Sequence, residues 1–495
     1  MAIPKVIGTE TEYGISAVAS SEFNPVISSS LLISTYAGAL RRIRWDYEQE
    51  SPLRDARGFE PVQLREPSEE DLGLANVILP NGARYYVDHA HPEYSTPECV
   101  TPRDLVIHDK AGERVLERSL DEVRRTMPGA QRLAVYKNNS DGKGNSYGCH
   151  ENYLLAREQP FGRLTAQITP HFVTRQVFCG AGKVGCELPG VPHDEVPYQL
   201  SQRADFFEEE VGLETTLKRP IVNTRDEPHC DASKYRRLHV IVGDANMSEV
   251  ATYLKVGTTA IVLAMIEDDA LDDDWLLANP VGAIRNVSHD PSLTRTILLR
   301  DGRRVTAIEV QWGMLERARK YERSHGLAVV GESVGADVLG RWEAVLTGLE
   351  SDRSSVADVV DWVAKQRLID GYAERHDVRA NDARLKALDL QYHDLRPGKC
   401  LADKVGLQTI VDSADVTSAK TEPPTTTRAY FRGRCLAKWP ADIVAANWDS
   451  LVFDIGRDPL RRVPMMEPLR GTADHVARLI DESNTPAELL ARLGA

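Results

Sequence analysis

The 495-residue sequence lacks the spacing patterns of common metal and nucleotide motifs. Its seven cysteines are dispersed and form no CxxC pair, which argues against a zinc site and favours a reducing cytoplasm. No GxxxxGKS/T motif occurs, so a P-loop nucleotide site is excluded. The GxGxxG match at 180–185 is followed by CELPGVPHDEVP, whose prolines prevent the helix that this motif requires. We therefore interpret 180–185 as a turn.

The sequence also lacks long hydrophobic runs and an excess of basic residues. The apolar run AIVLAMI at 260–266 is too short to span a bilayer. The first residues, MAIPKVIGTETEYG, show no signal-peptide pattern. Acidic residues outnumber basic ones by 74 to 60, which argues against nucleic acid or an anionic membrane as the main partner. With 27% charged residues, the composition is typical of a soluble globular protein, and we expect it in the cytoplasm.

Strand and helix patterns alternate without a regular βαβ order. The strand patterns lie at 4–16, 83–90, 132–137, 146–155 and 236–243, with a hairpin at 297–310 around Asp301-Gly302. The helix patterns lie at 28–43, 101–127, 250–267 and 355–395, with a last helix capped by Thr485. Residues 418–433 are predicted to be a linker followed by a strand. This order favours an α+β architecture with an antiparallel sheet.

The stretch 41–80 is charged, interrupted by proline and nearly without periodicity. A structureless stretch of this length is usually functional or mobile, although a tolerated surface insertion is the alternative. We expect a mobile loop that folds over the mouth of the site and regulates access. In this interpretation the loop belongs to a large domain, 1–420, and a small C-terminal domain, 421–495, follows.

GTETEYG at 8–14 carries two acidic residues on a strand pattern. Alternate side chains of a strand share a face, so Glu10 and Glu12 point the same way, about 7 Å apart. Two carboxylates on one face of an apolar strand resist burial. The segment is therefore either a solvent-facing edge or a site for a hard cation such as Mg²⁺.

NGARYYVDHAHPEYSTPE at 81–98 is unusually rich in polar and aromatic residues. Strand alternation places a cation, a phenol and a carboxylate on one face: Arg84, Tyr86 and Asp88. Pro92 is expected to end regular pairing, with Glu93 and Thr96 on the bend that follows. Carboxylates beside an arginine suit a metal–phosphate complex. Taken singly, each residue could equally be a solvated surface side chain.

Four further polar clusters occur along the chain. They are NSYGCHENY with His150 and Glu151, NTRDEPHCD with Arg225 and His229, RRLHVIVGDANMSE with His239, and TTTRAYFRGR with Arg428 and Arg432. A lone histidine on a strand is more often a satisfied core residue than a ligand. The arginines are either phosphate binders or ordinary surface residues.

Together and in order, these motifs, with YKNN, DGKG and NWDSLVFD, resemble the Pup-processing enzymes, a family of Pup ligases and Pup deamidases/depupylases. The resemblance runs from about residue 4 to 490. It implies a glutamine-synthetase-like fold, with a curved antiparallel sheet backed by helices and a small C-terminal domain. It also implies that ATP and Mg²⁺ bind on the concave face of the sheet.

Motif matching to this family also implies roles for individual residues. The implied metal ligands are Glu10, Tyr86 and Glu93, with Glu12, Glu151 and His239 as weaker matches. The implied ATP-binding residues are Arg84, Thr96 and Trp448, to which we add Arg428. Asp88 matches the catalytic aspartate, as nucleophile or as general base. Because Pup is acidic, Arg225 and His229 are our candidates for Pup contacts.

Two features favour the deamidase/depupylase branch of the family. VDHAHPEY has one residue fewer between aspartate and HPE than the ligase-type LDVGSHPEY, and the stretch 41–80 is absent from the ligase pattern. The implied reaction is hydrolysis of a γ-carboxamide at the C-terminus of Pup, which releases ammonia or a substrate lysine. ATP and Mg²⁺ are the expected cofactors, and Pup and pupylated proteins are the expected partners. An ATP-consuming Pup ligase is the alternative.

Overall fold

The computed structural model describes residues 1–17, 23–38, 40, 43–48, 50–59, 74–127, 133–192, 195–380, 382–456 and 459–494. Its strands are β1 Ile7–Glu12, β2 Gly14–Ala17, β3 Arg44–Trp45, β4 Asn76–Ile78, β5 Arg84–Asp88, β6 His91–Ser95, β7 Leu133–Tyr136, β8 Cys149–Ala156, β9 Lys183–Val184, β10 Tyr198–Gln199, β11 Phe207–Gly212, β12 Arg219–Asn223, β13 Tyr235–Val240, β14 Thr296–Leu298, β15 Arg304–Thr306, β16 Ile443–Ala446, β17 Ser450–Phe453 and β18 Arg461–Pro464. Its helices are α1 Pro25–Ala37, α2 Pro102–Thr126, α3 Phe161–Thr174, α4 Gln176–Cys179, α5 Glu249–Glu267, α6 Pro280–Ser288, α7 Ala307–His325, α8 Glu332–Ser351, α9 Asp361–His376, α10 Ala383–Tyr392, α11 Ser413–Ser418, α12 Ala429–Lys438, α13 Ala473–Glu482 and α14 Pro486–Leu493.

A six-stranded sheet with the order β13-β8-β1-β6-β5-β4 organises the larger part of the chain. Every neighbouring pair in it is antiparallel. One face carries apolar side chains such as Ile7, Tyr85 and Tyr153, which are buried against helices α1, α2 and α5. The opposite face is polar because strand side chains alternate. The predicted α+β architecture with an antiparallel sheet is therefore confirmed.

Helix α5 forms the centre of the core behind this sheet. Ser248 caps its first turn by accepting a hydrogen bond from the backbone N–H of Ala251 at 3.1 Å. By length and composition the helix could cross a membrane, but its whole apolar window is buried inside the fold. It is therefore a core helix, because a helix that is apolar on all sides is buried among other elements of the fold.

A second, four-stranded sheet with the order β18-β17-β16-β3 lies in the C-terminal part of the chain. Its strand β3 comes from the predicted insertion and pairs in parallel with β16. Ile43 and Trp45 are buried in the same apolar cluster as Phe431 and Leu451. The stretch 41–80 also contributes β4 to the main sheet, so the expectation of one structureless insertion is wrong at both of its ends. Residues 60–73 lie outside the described part of the chain, and the predicted mobility and lid role of the loop stay predictions.

Two other local expectations are corrected. Residues 429–438 form helix α12 and not a strand, because Ala429, Arg432, Gly433 and Leu436 are buried at helical spacing. Gly433 is required there, since a Cβ at this position would lie 2.2 Å from the carbonyl oxygen of Pro80. The tyrosine and phenylalanine at 430–431 suggested a strand, but tertiary packing overrides that preference.

The predicted end of pairing at Pro92 is also wrong. Pro92 lies inside β6, opposite Val87, and the two-residue turn His89–Ala90 connects β5 to β6. The pair next to this turn, Asp88 and His91, exchanges the hydrogen bonds between the strands, and the following pair, Val87 and Pro92, does not. The N–H that Pro92 lacks would therefore take no part in the pairing of β5 with β6. Pro92 accepts a hydrogen bond from the backbone N–H of Tyr13 at 3.0 Å on its other side.

The remaining predictions differ mainly at element ends. The first helix covers Pro25–Ala37 instead of 28–43. The hairpin around Gly302 is confirmed, but its second strand ends at Thr306, which starts helix α7 with a capping box to Glu309. Thr485 caps the last helix as predicted.

The burial of Trp45 generates a stability prediction. Its side chain is 6% exposed and its ring contacts Trp448 edge-on at a centroid distance of 5.8 Å. Trp45→Ala should lower the free energy of unfolding by about 3 to 5 kcal/mol, measured by urea denaturation. Phe59→Ala, at a position 65% exposed in the same stretch, is the control and should change it little. Equal stability of the two variants would show that the burial of Trp45 contributes little to the stability of the fold.

Candidate active site

Strand register brings polar side chains into two rows across the polar face of the main sheet. In the first row Tyr86 lies opposite Glu93, and Glu93 lies opposite Glu12. In the second row, the residues in register are Arg84, Ser95, Glu10 and His150. Directly opposite residues have Cβ atoms about 5 Å apart, so the sheet itself holds these side chains together.

The first row forms an acidic cluster with Asp88. Carboxylate oxygens of Glu12, Asp88 and Glu93 all lie within 4.8 Å of one another. Burial, with the charges of Asp88, Glu10 and Glu12, raises the pKa of Glu93 well above its ordinary range. Tyr86 donates its hydroxyl hydrogen to Oε1 of Glu93 at 2.5 Å. When its carboxylates are ionised, this cluster carries uncompensated negative charge that a divalent cation would neutralise.

Glu12 and Tyr86 hold opposite protonation states within this cluster. Burial opposes ionisation of Glu12, but the hydrogen bond with His91 and the charge of His150 lower its pKa to about 2. Burial, followed by the charge of Glu93, raises the pKa of Tyr86 well above 10.0. Glu12 is therefore an acceptor in the ionised form, and Tyr86 remains a neutral hydrogen-bond donor.

Glu10 and His150 of the second row form a mixed cluster with His239, which lies opposite Asn152 on β13, and the ligand atoms of the three also lie within 4.8 Å of one another. Burial lowers the pKa of His239 well below 6.5, so its imidazole is neutral. A proton on Nδ1, donated to Oδ1 of Asn152 at 3.1 Å, leaves the lone pair of His239 on Nε2; a guanidinium nitrogen of Arg237 also approaches Nδ1, at 3.4 Å. Nε2 is buried and has no hydrogen-bond partner among the described residues. This free lone pair is what a metal ligand needs.

A cavity at one end of the polar face, which we call the Trp448 cavity, joins the main sheet to the C-terminal sheet. It is lined by Val6, Ile7, Gly8, Thr9, Glu10, Ser95, Thr96, Glu98, Asn152, Tyr153, Leu154, Pro228, His229, Arg237, Arg428, Trp448 and Pro468. Oγ1 of Thr96 accepts a hydrogen bond from the backbone N–H of Thr9 at 3.0 Å. The cavity therefore contains three of the predicted cofactor residues, Thr96, Trp448 and Arg428, in one place.

Buried ion pairs hold the wall of the Trp448 cavity. Glu98 pairs with Arg428 at 2.8 Å and with Arg432, and these charges keep the pKa of Glu98 near 2 against the effect of burial. Arg432 also donates to the carbonyl oxygen of Trp448 at 2.9 Å. Arg428 additionally donates to the carbonyl oxygen of His229 at 2.6 Å. Both arginines therefore connect helix α12 and the C-terminal sheet to the main sheet.

A second cavity, the Asp88 cavity, opens at the other end of the polar face. Its lining includes Glu12, Asp88 and His91 together with the basic residues Arg203, Lys218 and Arg219. Oδ2 of Asp88 lies 3.0 Å from Nδ1 of His89, and the Asp88 side chain is 35% exposed. Arg203 is fully buried, and burial lowers its pKa to about 10. An anionic group entering this cavity would meet these basic side chains beside the Asp88 carboxylate.

The structure brings most of the sequence-predicted site residues together. Those on the polar face are Glu10, Glu12, Arg84, Tyr86, Asp88, Glu93 and His239. The guanidinium of Arg84 lies 3.7 Å from the ring centroids of both Trp45 and Tyr86. It therefore links the acidic cluster to the C-terminal core.

Three predicted residues lie elsewhere. Glu151 is on the opposite face, where both carboxylate oxygens accept hydrogen bonds from buried Arg175 at 2.6 and 2.8 Å, so it does not face the metal clusters. His229 lines the Trp448 cavity and not the Asp88 cavity. Arg225 lines neither cavity and forms a backbone bridge with Asp55. The substrate contacts predicted for Arg225 and His229 therefore do not fit the Asp88 cavity.

Sequence reasoning missed His150 as a member of the site. Alternation along β8 puts His150 and Asn152 on one face and Glu151 on the other, so only one of the adjacent pair can face Glu10. If the buried face of β8 were known from the sequence, His150 and not Glu151 would be predicted to lie on the polar face. The basic residues of the Asp88 cavity were also missed, because 203–219 carries no motif.

A known protein family matches most of the chain. A family model described as Pup-ligase protein matches residues 5–452. The chain belongs to this family. The resemblance read from the motifs is thereby confirmed.

The similar curated proteins include both branches of the family. The chain is 54% identical over 505 residues to a depupylase of Acidothermus cellulolyticus, covering 99% of each chain. It is 49% identical to a Pup deamidase/depupylase of Mycobacterium tuberculosis, again over 99% of each. It is 42% identical to a Pup–protein ligase of Kineococcus radiotolerans, over 82% of this chain and 90% of that one. Similarity to the deamidase/depupylase branch is therefore higher and extends over the whole chain.

Solved structures of the ligase PafA share the fold. The complex of PafA with Pup gives a TM-score of 0.80 at 32% identity, covering 99% of this chain and 94% of that one. The complex of PafA with ADP gives a TM-score of 0.74 at 35% identity, covering 90% of this chain and 98% of that one. The predicted glutamine-synthetase-like fold is confirmed by this similarity.

The raised pKa of Glu93 predicts how stability depends on pH. Its protonated form contributes stability below its ordinary pKa of 4.5, and this contribution is lost as pH rises through the higher folded value. Glutamine stays neutral and keeps an acceptor oxygen for Tyr86. With a chelator present, Glu93→Gln should therefore lose less thermal stability than the unsubstituted protein as pH rises toward neutrality. Exposed Glu316→Gln is the control, and parallel curves for all three proteins would contradict the prediction.

Proposed function

We propose that this chain hydrolyses amide bonds at the C-terminus of Pup. It deamidates the C-terminal glutamine to glutamate and cleaves the isopeptide bond between Pup and a substrate lysine. The whole-length identity to proteins named depupylase carries this proposal. The seven cysteines are all free and buried, which suits the reducing cytoplasm in which we place the enzyme.

The two reactions break the same kind of bond, which explains how one site performs both. A γ-carboxamide loses ammonia in the first reaction and a lysine amine in the second. Among acidic residues that include Glu12, Asp205 and Glu208, the Asp88 cavity presents the basic side chains of Lys218 and Arg219 beside the Asp88 carboxylate. The α-carboxylate of a C-terminal residue and the acidic chain of Pup are anions that such side chains bind.

We place ATP in the Trp448 cavity and Mg²⁺ at the clusters of the polar face. The carboxylate oxygens of Glu10, Glu12 and Glu93 fit a hard cation, and the buried Nε2 of His239, which has no hydrogen-bond partner among the described residues, is available as a further ligand atom. Tyr86 retains its proton, so it positions Glu93 through their hydrogen bond. Bound Mg²⁺ would supply positive charge that stabilises the negative charge developing on the substrate carbonyl oxygen.

Asp88 can act by either of two routes. As a general base it takes a proton from water, the resulting hydroxide adds to the carbonyl carbon, the C–N bond breaks, and Asp88 returns the proton to the leaving nitrogen. As a nucleophile its carboxylate adds to the carbonyl carbon, and the C–N bond breaks while the nitrogen takes a proton from solvent. Water then cleaves the mixed anhydride.

The mass of Pup after incubation tests the proposed activity. With ATP and Mg²⁺, glutamine-ended Pup should gain the small mass that separates an amide from an acid. A purified Pup conjugate should release free Pup and unmodified protein. Unchanged Pup together with new conjugates on added protein would identify a ligase instead.

Asp88→Asn should fold and bind nucleotide but lose about 10²- to 10⁴-fold in deamidation and depupylation rate, because the change removes the charge and preserves the shape. The matched control is Asp301→Asn, in the hairpin turn far from the site, which should retain full activity. Near-normal turnover by Asp88→Asn would remove Asp88 from the mechanism.

Glu10→Ala should weaken Mg²⁺-dependent nucleotide binding at least tenfold, measured by calorimetric titration with and without Mg²⁺. Nucleotide binding without Mg²⁺ should change less, because the carboxylate acts through the cation. Glu316→Ala again serves as an exposed control. If both titrations weaken equally, Glu10 shapes the cavity and does not hold the metal.

A further inference from the structure

A cysteine, an aspartate and a histidine meet at a point separate from the two clusters of the polar face. Cys186 follows strand β9, Asp205 lies in the short helical turn Ala204–Phe206, and His289 follows the last residue of helix α6. One ligand atom from each lies within 4.8 Å of the other two. Because the three residues are far apart in sequence, their spacing gave no sign of this cluster.

The distances fit a tetrahedral metal centre with modest adjustment. Nε2 of His289 lies 2.7 Å from Oδ1 of Asp205 and 3.9 Å from Sγ of Cys186. Around zinc, with its ordinary bond lengths, such ligand atoms are about 3.3 to 3.6 Å apart. On metal binding the nitrogen–oxygen separation would therefore widen by about 0.6 Å or more, and the sulfur–nitrogen separation would shorten by about 0.3 to 0.6 Å.

The same distances exclude a catalytic triad. In a nucleophile–histidine–acid relay, the acid and the nucleophile contact different nitrogens of the imidazole. Here Asp205 and Cys186 both approach Nε2 of His289. Three donor atoms that converge on one point are the geometry of a bound cation.

Hydrogen bonds outside the cluster fix the donors in place. Oδ2 of Asp205 accepts from Nε2 of Gln199 at 2.8 Å and from the backbone N–H of Glu187 at 2.9 Å, which leaves Oδ1 facing His289. Sγ of Cys186 accepts from the backbone N–H of Leu188 at 3.3 Å. Such contacts orient the ligand atoms. Burial, with the nearby Asp205 carboxylate, raises the pKa of the Cys186 thiol, so the metal-free protein holds it protonated.

We propose that Cys186, Asp205 and His289 bind a zinc ion. One sulfur, one imidazole nitrogen and one carboxylate oxygen form a donor set that suits zinc better than magnesium. On binding, the Cys186 thiol releases its proton to solvent and the sulfur bonds to the metal. The hydrogen that Nε2 of His289 donates to Asp205 is also released, so that the neutral imidazole carries its proton on Nδ1 and bonds to the metal through Nε2. Water fills the fourth position, because the three protein ligands leave it open.

The position of the site indicates what the metal does. Asp205 also lines the Asp88 cavity, while His289 anchors the end of helix α6. A zinc ion here would fasten that helix to the cavity wall. Its removal should therefore loosen the wall without touching the Mg²⁺ clusters.

Cobalt substitution of the full-length chain tests the proposal, because a cobalt–thiolate bond has a charge-transfer absorption that oxygen and nitrogen ligands do not produce. The metal-free protein titrated with Co²⁺ should develop this absorption at one equivalent. It should be lost in Cys186→Ser and remain in Cys400→Ser, a control at another buried cysteine. The Glu10 and Glu12 clusters contain no sulfur and cannot give the signal.

His289→Gln provides a second, independent variant that retains the sulfur. Its Co²⁺ affinity should fall at least tenfold, and circular dichroism establishes that each variant is folded. Absence of the thiolate absorption in the unsubstituted chain would overturn the proposal. So would its persistence in folded Cys186→Ser, or unchanged affinity in folded His289→Gln.

Discussion

Glu12 and Glu93 lie directly opposite each other on neighbouring strands, and Tyr86 lies opposite Glu93 on the next strand. The sheet thus forces carboxylates together on a buried face, where like charges cost free energy. His91, Tyr86 and the protonation of Glu93 offset part of this cost in the metal-free protein. A divalent cation would offset the rest, which is the basis of our proposal that Mg²⁺ binds on this face.

Buried contacts join helix α12 and the C-terminal sheet to the polar face of the main sheet. Glu98, at the end of the main sheet, pairs with Arg428 and Arg432 of the C-terminal unit, and Arg432 holds the backbone of Trp448. Strand β3, which contains Trp45, pairs with β16, and the ring of Trp45 contacts the ring of Trp448. Removing one partner of a buried pair leaves an uncompensated charge, so the Trp448 cavity depends on all of these contacts.

Local periodicity predicted the central part of the site. Alternation along β1 and β5 correctly grouped Glu10 with Glu12, and Arg84 with Tyr86 and Asp88, because that rule needs only neighbouring residues. Roles for these residues came from the family resemblance, and they remain proposals here.

Contacts between distant segments could not be predicted in this way. The pairing of β3 with β16 and the meeting of Cys186 with Asp205 and His289 depend on tertiary packing that no short pattern encodes. Glu151 was predicted from motif position in the family, and its place on the buried face of β8 is set by packing against Arg175 that the motif does not encode. Pro92 was misread because its effect depends on which side of the ladder its nitrogen faces.

The central claim is that the site hydrolyses Pup amide bonds with nucleotide as a cofactor. The most direct test quantifies conjugate cleaved and ADP formed in the same reaction, starting from a purified Pup conjugate with ATP and Mg²⁺. This account predicts many isopeptide bonds cleaved for each ADP formed. One ADP for each bond, or net formation of conjugate, would contradict it.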